Sequence, residues 1–216
     1  MTSCSAWQLY VIIDRTTVRR AGLAAVAASA IRGGADVIQL RDKTASAREL
    51  ITEASRLRAL TEPAGIPLVI NDRADVALAA GAAGVHLGQD DLSLQDARTI
   101  LGPHRLIGKS THSLDQAIQA EREGADYIGV GPIFSTPTKP DYGSVGLGLI
   151  RQVASAVSVP VVCIGGIERQ NLAQVLAAGA RCVAVVRAVC LSPDPEATTR
   201  GLKTLVTEFH PTTASR

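Results

Sequence analysis

A glycine–alanine pair followed by a short apolar run recurs four times along this chain of 216 residues. The pairs begin at Gly34, Gly81, Gly124 and Gly179. Successive pairs are about 43 to 55 residues apart, the length of two ordinary strand–helix units. Each glycine follows a helical pattern, where a residue that ends a helix takes a positive φ. Four such repeats, each of two strand–helix units, imply eight units in all.

Apolar runs of strand length alternate with amphipathic segments of helix length along the whole chain. The predicted strands are 9–13, 37–40, 68–70, 85–87, 106–108, 127–130, 161–164 and 183–186. The predicted helices are 19–32, 47–61, 74–80, 94–101, 113–124, 148–157, 169–178 and 195–209. Ser46 and Glu49 form the capping box that starts the second helix.

This alternation predicts an α/β fold, a single (β/α)₈ TIM barrel. An open doubly wound sheet is the alternative, but no G-x-G-x-x-G follows the first strand. The predicted organisation is an N-terminal extension at 1–8, a catalytic barrel at 9–209 and a polar tail at 210–216. Hydrophobic residues make up 46% and aromatic residues 3%, so the core is built from small aliphatic side chains that suit parallel strands.

Charge and cysteine usage exclude several classes of function. The net charge is +2, which gives no nucleic-acid or membrane-surface footprint. The four cysteines have no zinc spacing, and those in the strands are predicted to be buried thiols. No secretory signal and no apolar run of membrane-spanning length is visible. We therefore predict a cytoplasmic protein with small-molecule substrates; the chain can form a homo-oligomer, but its sequence does not fix that state.

Polar side chains follow the second predicted strand at alternate positions. Gln39, Arg41 and Lys43 therefore point to one side of the strand end. An amide donor, a planar guanidinium and a point charge together suit a polyanion such as a diphosphate. A solvated strand end with surface charges is the alternative for this triplet taken alone.

The other predicted strands also end in polar residues, and a barrel brings strand ends to one rim. Asp72 and Asp91 suit a Mg²⁺ ion that bridges a diphosphate, although each could instead begin a helix. The pair Gly165-Gly166 before a helix suits a monophosphate, although a tight turn is the alternative. His112 could serve as an acid or base, and capping is its alternative. His86, inside a strand, is predicted to be packed in place. Two anion sites on one rim suit a transferase that joins a diphosphate-activated fragment to a phosphorylated acceptor.

Several motifs occur along the chain in a specific order. They are Gln39-x-Arg41-x-Lys43, Asn71-Asp72, His86-Leu87-Gly88-Gln89-x-Asp91, Gly108-x-Ser110, Gly131-Pro132-Ile133-Phe134, Thr136-x-Thr138-Lys139 and Gly165-Gly166-Ile167. Together they resemble the motifs of the thiamine-phosphate synthase (thiamine-phosphate pyrophosphorylase) family, from about Leu9 to Glu208.

The resemblance implies that a hydroxymethylpyrimidine diphosphate reacts with a thiazole phosphate, or its carboxylated form, to give thiamine phosphate and diphosphate. The residues implied for the pyrimidine diphosphate are Gln39, Arg41, Lys43, Asn71, Ser110 and Lys139, of which Arg41, Lys43, Ser110 and Lys139 are the catalytic ones. Those implied for the thiazole phosphate are Thr136, Pro137, Thr138, Gly166, Val186 and Arg187. The family further implies one Mg²⁺ on Asp72 and Asp91, and a loop from Phe134 to Gly146 that excludes water.

Two residues depart from the family pattern. Asp42 stands where the family usually has Glu, and Arg187 stands where many members have Ser. The alternatives are a thiazole tautomerase, a non-catalytic barrel that binds thiamine precursors, and a phosphate-binding isomerase. Both Asp72 and Asp91 are present, whereas the tautomerase needs no metal carboxylates and the isomerase would leave the pair unexplained.

Overall fold

The computed structural model describes residues 4–18, 22–136 and 143–210. Eight parallel strands in these ranges close into one barrel in sequence order. The strands are β1 (Leu9–Asp14), β2 (Val37–Arg41), β3 (Leu68–Asn71), β4 (Gly84–Leu87), β5 (Leu106–Thr111), β6 (Tyr127–Val130), β7 (Val161–Ile164) and β8 (Cys182–Val185). The predicted TIM barrel is therefore confirmed.

Helices connect the strands on the outside of the barrel. They are α1 (Leu23–Arg32), α2 (Ala47–Thr61), α3 (Ala74–Ala79), α4 (Leu94–Leu101), α5 (Leu114–Arg122), α6 (Gly146–Ala156), α7 (Leu172–Ala177), α8 (Arg187–Cys190) and α9 (Pro195–Phe209), after a 3₁₀ turn at Cys4–Ala6. The capping box of α2 forms as predicted between Ser46 and Glu49. Within the described ranges, no helix is both long and apolar enough to cross a membrane.

The repeated glycines terminate helices as the sequence predicts. Gly34, Gly81, Gly124 and Gly179 take φ values of 94°, 64°, 87° and 107°. A residue with a side chain is strained in this left-handed region, whereas glycine is not. Each glycine turns the chain from a helix into the next strand, and this fixes the eightfold alternation.

The buried side chains form two clusters, one on each face of the strands. The larger cluster fills the layer between barrel and helices with aliphatic residues such as Leu9, Ile38 and Val183. The smaller cluster fills the barrel interior and contains three aromatic rings, those of Trp7, Tyr10 and Tyr127. Alternation along each strand separates the two sets. The barrel interior therefore holds three of the six aromatic side chains of this sequence, packed among smaller apolar residues.

Among the differences from the predicted elements, two concern boundaries near the rim and one is an added helix. Strand β5 continues to Thr111, because its ladder to β6 extends through Ser110 and Thr111. Helix α7 begins only at Leu172, because residues 168–171 form a turn in which Glu168 N donates to the Asn171 side chain. The short helix α8 was not predicted.

Candidate functional site

A pocket opens at the carboxyl ends of the strands and continues down into the barrel. It is lined by residues from most of the strands and from the loops that follow them, among them Gln39, Arg41, Asn71, His86, Ser110, Tyr127, Thr136, Gly166, Val186 and Arg187. Residues separated by nearly 150 positions in the sequence thus share one cavity, as a barrel rim requires.

Arg41 is held in the pocket by an ion pair that sequence analysis missed. Its Nη1 donates to Oδ2 of Asp14, at the end of β1. The other oxygen of Asp14 accepts from Thr17 N and Oγ1, at 3.0 and 2.9 Å, and from the Thr16 hydroxyl. Burial alone would raise the pKa of Asp14, but the hydrogen bonds and the Arg41 charge outweigh it and hold that pKa below its usual value. The guanidinium therefore has a fixed position at the rim.

The two predicted metal carboxylates lie next to each other. Asp72 has a φ of 63° at the end of β3, and Asp91 lies near enough to raise the pKa of its carboxyl group. Lys43 Nζ lies 3.2 Å from Asp72 Oδ2. Burial and then the neighbouring Asp91 raise the pKa of Asp72, and Lys43 only partly opposes them. Two facing carboxylates that repel each other have the donor chemistry to hold a hard divalent cation.

A backbone hydrogen bond holds Asp91 in place, and the charged Lys109 side chain lies nearby. Gly88 N donates to Asp91 Oδ2 at 2.6 Å, and the buried Lys109 ammonium donates to Gly88 O at 2.7 Å. Within the described ranges, no cluster of three or more metal-ligating His, Cys, Asp or Glu side chains is present. Mg²⁺ requires fewer protein ligands than that, since water and phosphate oxygens complete its shell.

Polar side chains continue from the rim into the barrel interior. Ser110 Oγ lies 2.9 Å from His86 Nε2, and His86 Nδ1 lies 3.1 Å from the Tyr127 hydroxyl. That hydroxyl lies 3.1 Å from the Tyr10 hydroxyl, which accepts a 2.7 Å hydrogen bond from Gln39 Nε2. The expectation that His86 is packed in place agrees with these contacts, but both tyrosines were missed.

Glycines in β5 and β6 make room for these interior rings. A Cβ atom on Gly108 would lie 2.2 Å from Tyr127 Cζ and 2.6 Å from His86 Nδ1. A Cβ atom on Gly129 would lie 3.1 Å from His86 Cε1. The imidazole is thus confined between two strands that have no side chain at the contact.

We expect Gly108→Ala to destabilise the barrel by about 1–3 kcal/mol, because overpacking a rigid interior displaces Tyr127 and His86. Gly148→Ala is the matched control, since a Cβ there meets nothing within 4 Å and alanine favours the helix α6. Urea unfolding compares the two variants. Equal stability of both would show that the interior rings are not confined as described.

The loop after β6 and the turn after β7 form the other side of the rim. Phe134 N donates to Gly165 O at 3.0 Å, and Asn171 Nδ2 donates to Gly166 O at 2.8 Å. Gly165 and Gly166 take φ values of 102° and 64°. Helix α7 starts six residues beyond Gly166, three residues later than predicted, so the glycine pair does not directly precede a helix. The Gly165-Gly166 backbone itself still lines the pocket.

The remaining predicted site residues divide into three groups. Thr136, Val186 and Arg187 line the pocket, and Arg187 is exposed at the start of α8. Pro137, Thr138 and Lys139, together with the rest of residues 137–142 in the middle of the loop predicted to exclude water, lie outside the described residues. Asn71 lines the pocket, but neither it nor Asp72 caps a helix, since the residue before α3 is Arg73 and makes no side-chain cap.

Asp42 and His112 lie at the rim, and their contacts hold the neighbouring loops. Asp42 Oδ1 accepts from Thr44 N and from Ala45 N, so this side chain braces the loop after β2 and does not enter the pocket. His112 Nδ1 contacts Gly131 O across the strands, and His112 N donates to Gln116. His112 therefore connects β5 to the loop after β6.

Comparison with known proteins identifies the family. The family model for thiamine monophosphate synthase matches residues 9–189. The chain belongs to the thiamine monophosphate synthase family. A thiamine-phosphate synthase of Chloroflexus aurantiacus is 51% identical over 201 residues, covering 93% of both chains. One of Shouchella clausii is 45% identical over 197 residues, covering 91% of this chain and 94% of the relative.

A solved structure supports the same assignment. The thiamine phosphate pyrophosphorylase of Pyrococcus furiosus superposes with a TM-score of 0.89 at 38% identity, covering 96% of this chain and 98% of that one. These matches confirm the predicted family and its transferase class of enzyme. The site-residue roles, the oligomeric state and the location in the cell stay predictions.

Proposed function

We propose that the rim pocket condenses 4-amino-2-methyl-5-hydroxymethylpyrimidine diphosphate with 4-methyl-5-(2-phosphoethyl)thiazole, or its carboxylated form, to give thiamine phosphate and diphosphate. The observation that carries the proposal is one corner of the rim. There Asp72 and Asp91 face each other beside Lys43, and the pocket that begins at Arg41 and Asn71 adjoins them. Cations and paired carboxylates at one place suit a leaving diphosphate better than any neutral ligand.

Asp72 and Asp91 would hold one Mg²⁺ ion. When bound, the ion supplies positive charge that stabilises the departing diphosphate oxygens. The raised pKa of Asp72 supports this assignment, because burial and a neighbouring carboxylate disfavour its charge until a cation compensates them. Lys43 now compensates part of that charge, at 3.2 Å.

Arg41 and Lys43 would bind the diphosphate directly. The ion pair with Asp14 uses one guanidinium nitrogen of Arg41 and leaves the rest of the fork available for phosphate oxygens. Both cations stabilise charge that grows as the bond to the leaving group breaks. Gln39 and Asn71 line the same pocket and would orient the substrate, with Ser110 near the pyrimidine ring. Lys139, in the loop after β6, is proposed to join them.

The thiazole phosphate would bind across the pocket. Thr136, Gly166 and Val186 line that side, with Arg187 beside them. Pro137 and Thr138 follow Thr136 in the sequence and are proposed to bind the same phosphate. The thiazole nitrogen attacks the exocyclic carbon of the pyrimidine with its own lone pair, so the step needs no general base. What it needs is exclusion of water, because water is a competing nucleophile. The apolar barrel wall at Ile12, Val162 and Ile164 supports that requirement.

The function is tested by following diphosphate release after both substrates and Mg²⁺ are mixed with the protein. We expect release that requires all three components and forms thiamine phosphate in equal amount. Folded protein that binds both substrates but releases no diphosphate would refute the transferase and favour the non-catalytic barrel. Isomerisation of the thiazole phosphate without pyrimidine or metal would favour the tautomerase.

A further inference from the structure

Five side chains form a continuous hydrogen-bonded chain across the barrel interior. In order they are Gln39, Tyr10, Tyr127, His86 and Ser110, with successive contacts of 2.7, 3.1, 3.1 and 2.9 Å. Gln39 and both tyrosines are buried, at 2%, 2% and 0% exposure, so each polar atom in the chain needs a partner. The chain begins at a side chain of the diphosphate side and ends at the serine proposed to lie near the pyrimidine.

The start of the chain sets its direction. The amide nitrogen of Gln39 can only donate, so the Tyr10 oxygen accepts from it. The single hydroxyl hydrogen of Tyr10 then needs an acceptor. Within the described residues, the other polar atom at hydrogen-bonding distance from this oxygen is the Tyr127 hydroxyl. Tyr10 therefore donates to Tyr127.

The same accounting assigns the hydrogen on His86. The Tyr127 oxygen accepts from Tyr10, so its own hydrogen is available for His86 Nδ1, 3.1 Å away. An Nδ1 atom that accepts carries no hydrogen, and a neutral imidazole then carries its hydrogen on Nε2. Nε2–H in turn donates to Ser110 Oγ at 2.9 Å. The hydroxyl hydrogen of Ser110 is thereby directed away from His86.

We propose that this interior chain fixes His86 as the Nε2–H tautomer and so makes Ser110 a hydrogen-bond donor to the aromatic substrate, with Tyr127 as the positioning residue. Ser110 and His86 both line the pocket, so the hydroxyl hydrogen faces the space that a substrate ring would enter. The substrate group that binds the Ser110 hydroxyl is then a hydrogen-bond acceptor, such as a pyrimidine ring nitrogen, and not an amino group. The substrate part of this inference rests on the proposed function, whereas the tautomer does not.

Packing prevents the imidazole from reaching another arrangement by rotation. A Cβ on Gly108 would collide with both His86 Nδ1 and the Tyr127 ring, so these rings sit directly against the β5 backbone. The Tyr127 and His86 rings have centroids 5.4 Å apart and are tilted by 31°. Trp7 supports Tyr127 from below, with ring centroids 5.2 Å apart at 73°. The hydrogen-bond order therefore follows from a fixed set of rings.

The tautomer is measured directly by nitrogen-15 NMR of the imidazoles in the substrate-free protein. The chain has four histidines, and the His86 signals are assigned from their loss in His86→Gln, or from their retention when the other three are replaced. We expect His86 Nδ1 to resonate as an unprotonated, acceptor nitrogen and Nε2 as a protonated one. The opposite pattern would overturn the proposal, because the chain would then run from Ser110 towards the carbonyl oxygen of Gln39.

Tyr127→Phe tests the positioning role, since it removes one hydroxyl and keeps the ring. We expect a mixture of His86 tautomers and a loss of kcat/KM for the pyrimidine diphosphate of about 5- to 20-fold. Tyr10→Phe should also release the tautomer, because Tyr127 then receives no hydrogen bond that obliges it to donate to His86. Trp7→Phe is the control, since the Trp7 ring packs on Tyr127 while its Nε1 has no hydrogen-bond partner among the described residues, and the Nε2–H signal should be retained. The same mixture of tautomers in Trp7→Phe would show only a general disturbance of the interior and would contradict the proposal.

A double-variant cycle separates action through Ser110 from a structural effect. Tyr127→Phe should cost much less activity in a Ser110→Ala background than in the natural chain, since the hydroxyl that it orients is already gone. Equal losses in both backgrounds would refute the positioning role. An inactive protein with the expected tautomer would refute the proposed function and leave the tautomer assignment standing.

Discussion

Asp91→Asn is expected to lower kcat by about 10²- to 10³-fold while the barrel stays folded. The variant keeps an oxygen that can accept from Gly88 N, but it removes one of two carboxylates that would hold Mg²⁺ beside the diphosphate. Steady-state kinetics with varied Mg²⁺ should also show a higher metal requirement. Binding of the thiazole phosphate, measured by calorimetry, should be little changed because that substrate lies across the pocket.

Asp91→Asn should also leave the metal-free protein as stable as before, or raise its melting temperature by about 2 °C. Burial and Asp91 raise the pKa of Asp72, so the ionised form of Asp72 opposes folding. The free energy of unfolding therefore falls as pH rises from the ordinary carboxylate value through the raised pKa of Asp72. Removing the Asp91 charge relieves this repulsion. Asp90→Asn, at the exposed neighbouring carboxylate, is the control. Equal loss of activity in both variants would contradict the metal assignment, as would loss of thiazole phosphate binding in Asp91→Asn.

Arg41→Gln should cost about 3–5 kcal/mol of stability and about 10²-fold or more in kcat/KM. The side chains of Arg41 and Asp14 are 13% and 1% exposed, so the variant leaves a buried carboxylate without its cation. Because Asp14 has a pKa below its usual value in the native protein, its contribution is complete above the ordinary carboxylate value of about 3.9. It is lost as pH falls through the native pKa, so the stability gap to Arg41→Gln should narrow on acidification.

A second change separates the two roles of Arg41. Adding Asp14→Asn to Arg41→Gln removes the unpaired charge, so most of the stability should return while activity stays low. Arg73→Gln is the control, since Arg73 and Asp75 form an ion pair whose side chains are 41% and 60% exposed, and losing such a pair costs about 0–1 kcal/mol. Equal destabilisation by Arg73→Gln and Arg41→Gln would show that burial of the Arg41–Asp14 ion pair adds nothing to the stability of the protein.

The fold could be predicted because its signals are local. Glycines at Gly34, Gly81, Gly124 and Gly179 end helices through their backbone freedom, and the predicted positive φ values are present at all four. The capping box at Ser46 fixes the start of α2 in the same way. A closed barrel follows from eight such units, since parallel strands need their edges paired. Start points such as that of α7 were misplaced because a side-chain turn at Asn171 delays the helix.

Sequence analysis predicted candidate site residues that lie near strand ends and missed two tyrosines inside the strands. Arg41, Asp72 and Asp91 were predicted because each lies at or just beyond a strand end, and the barrel brings such positions together. Asp14 follows the same rule at the end of β1 and could have been found by it. Tyr10 and Tyr127 could not, because an aromatic residue inside a strand looks the same whether its hydroxyl joins a buried chain or reaches solvent. Their contact joins strands 117 positions apart, which no local pattern encodes.

The central claim is that the corner between β2, β3 and β4 binds the diphosphate through a metal, while the β6–β8 side binds a monophosphate. A crystal structure of the protein with Mg²⁺, diphosphate and thiamine phosphate tests this most directly. We expect one Mg²⁺ between Asp72 and Asp91, with the diphosphate on that ion and on Arg41 and Lys43, and the monophosphate against Gly166. Diphosphate bound at Gly166, or a metal away from both carboxylates, would contradict the account.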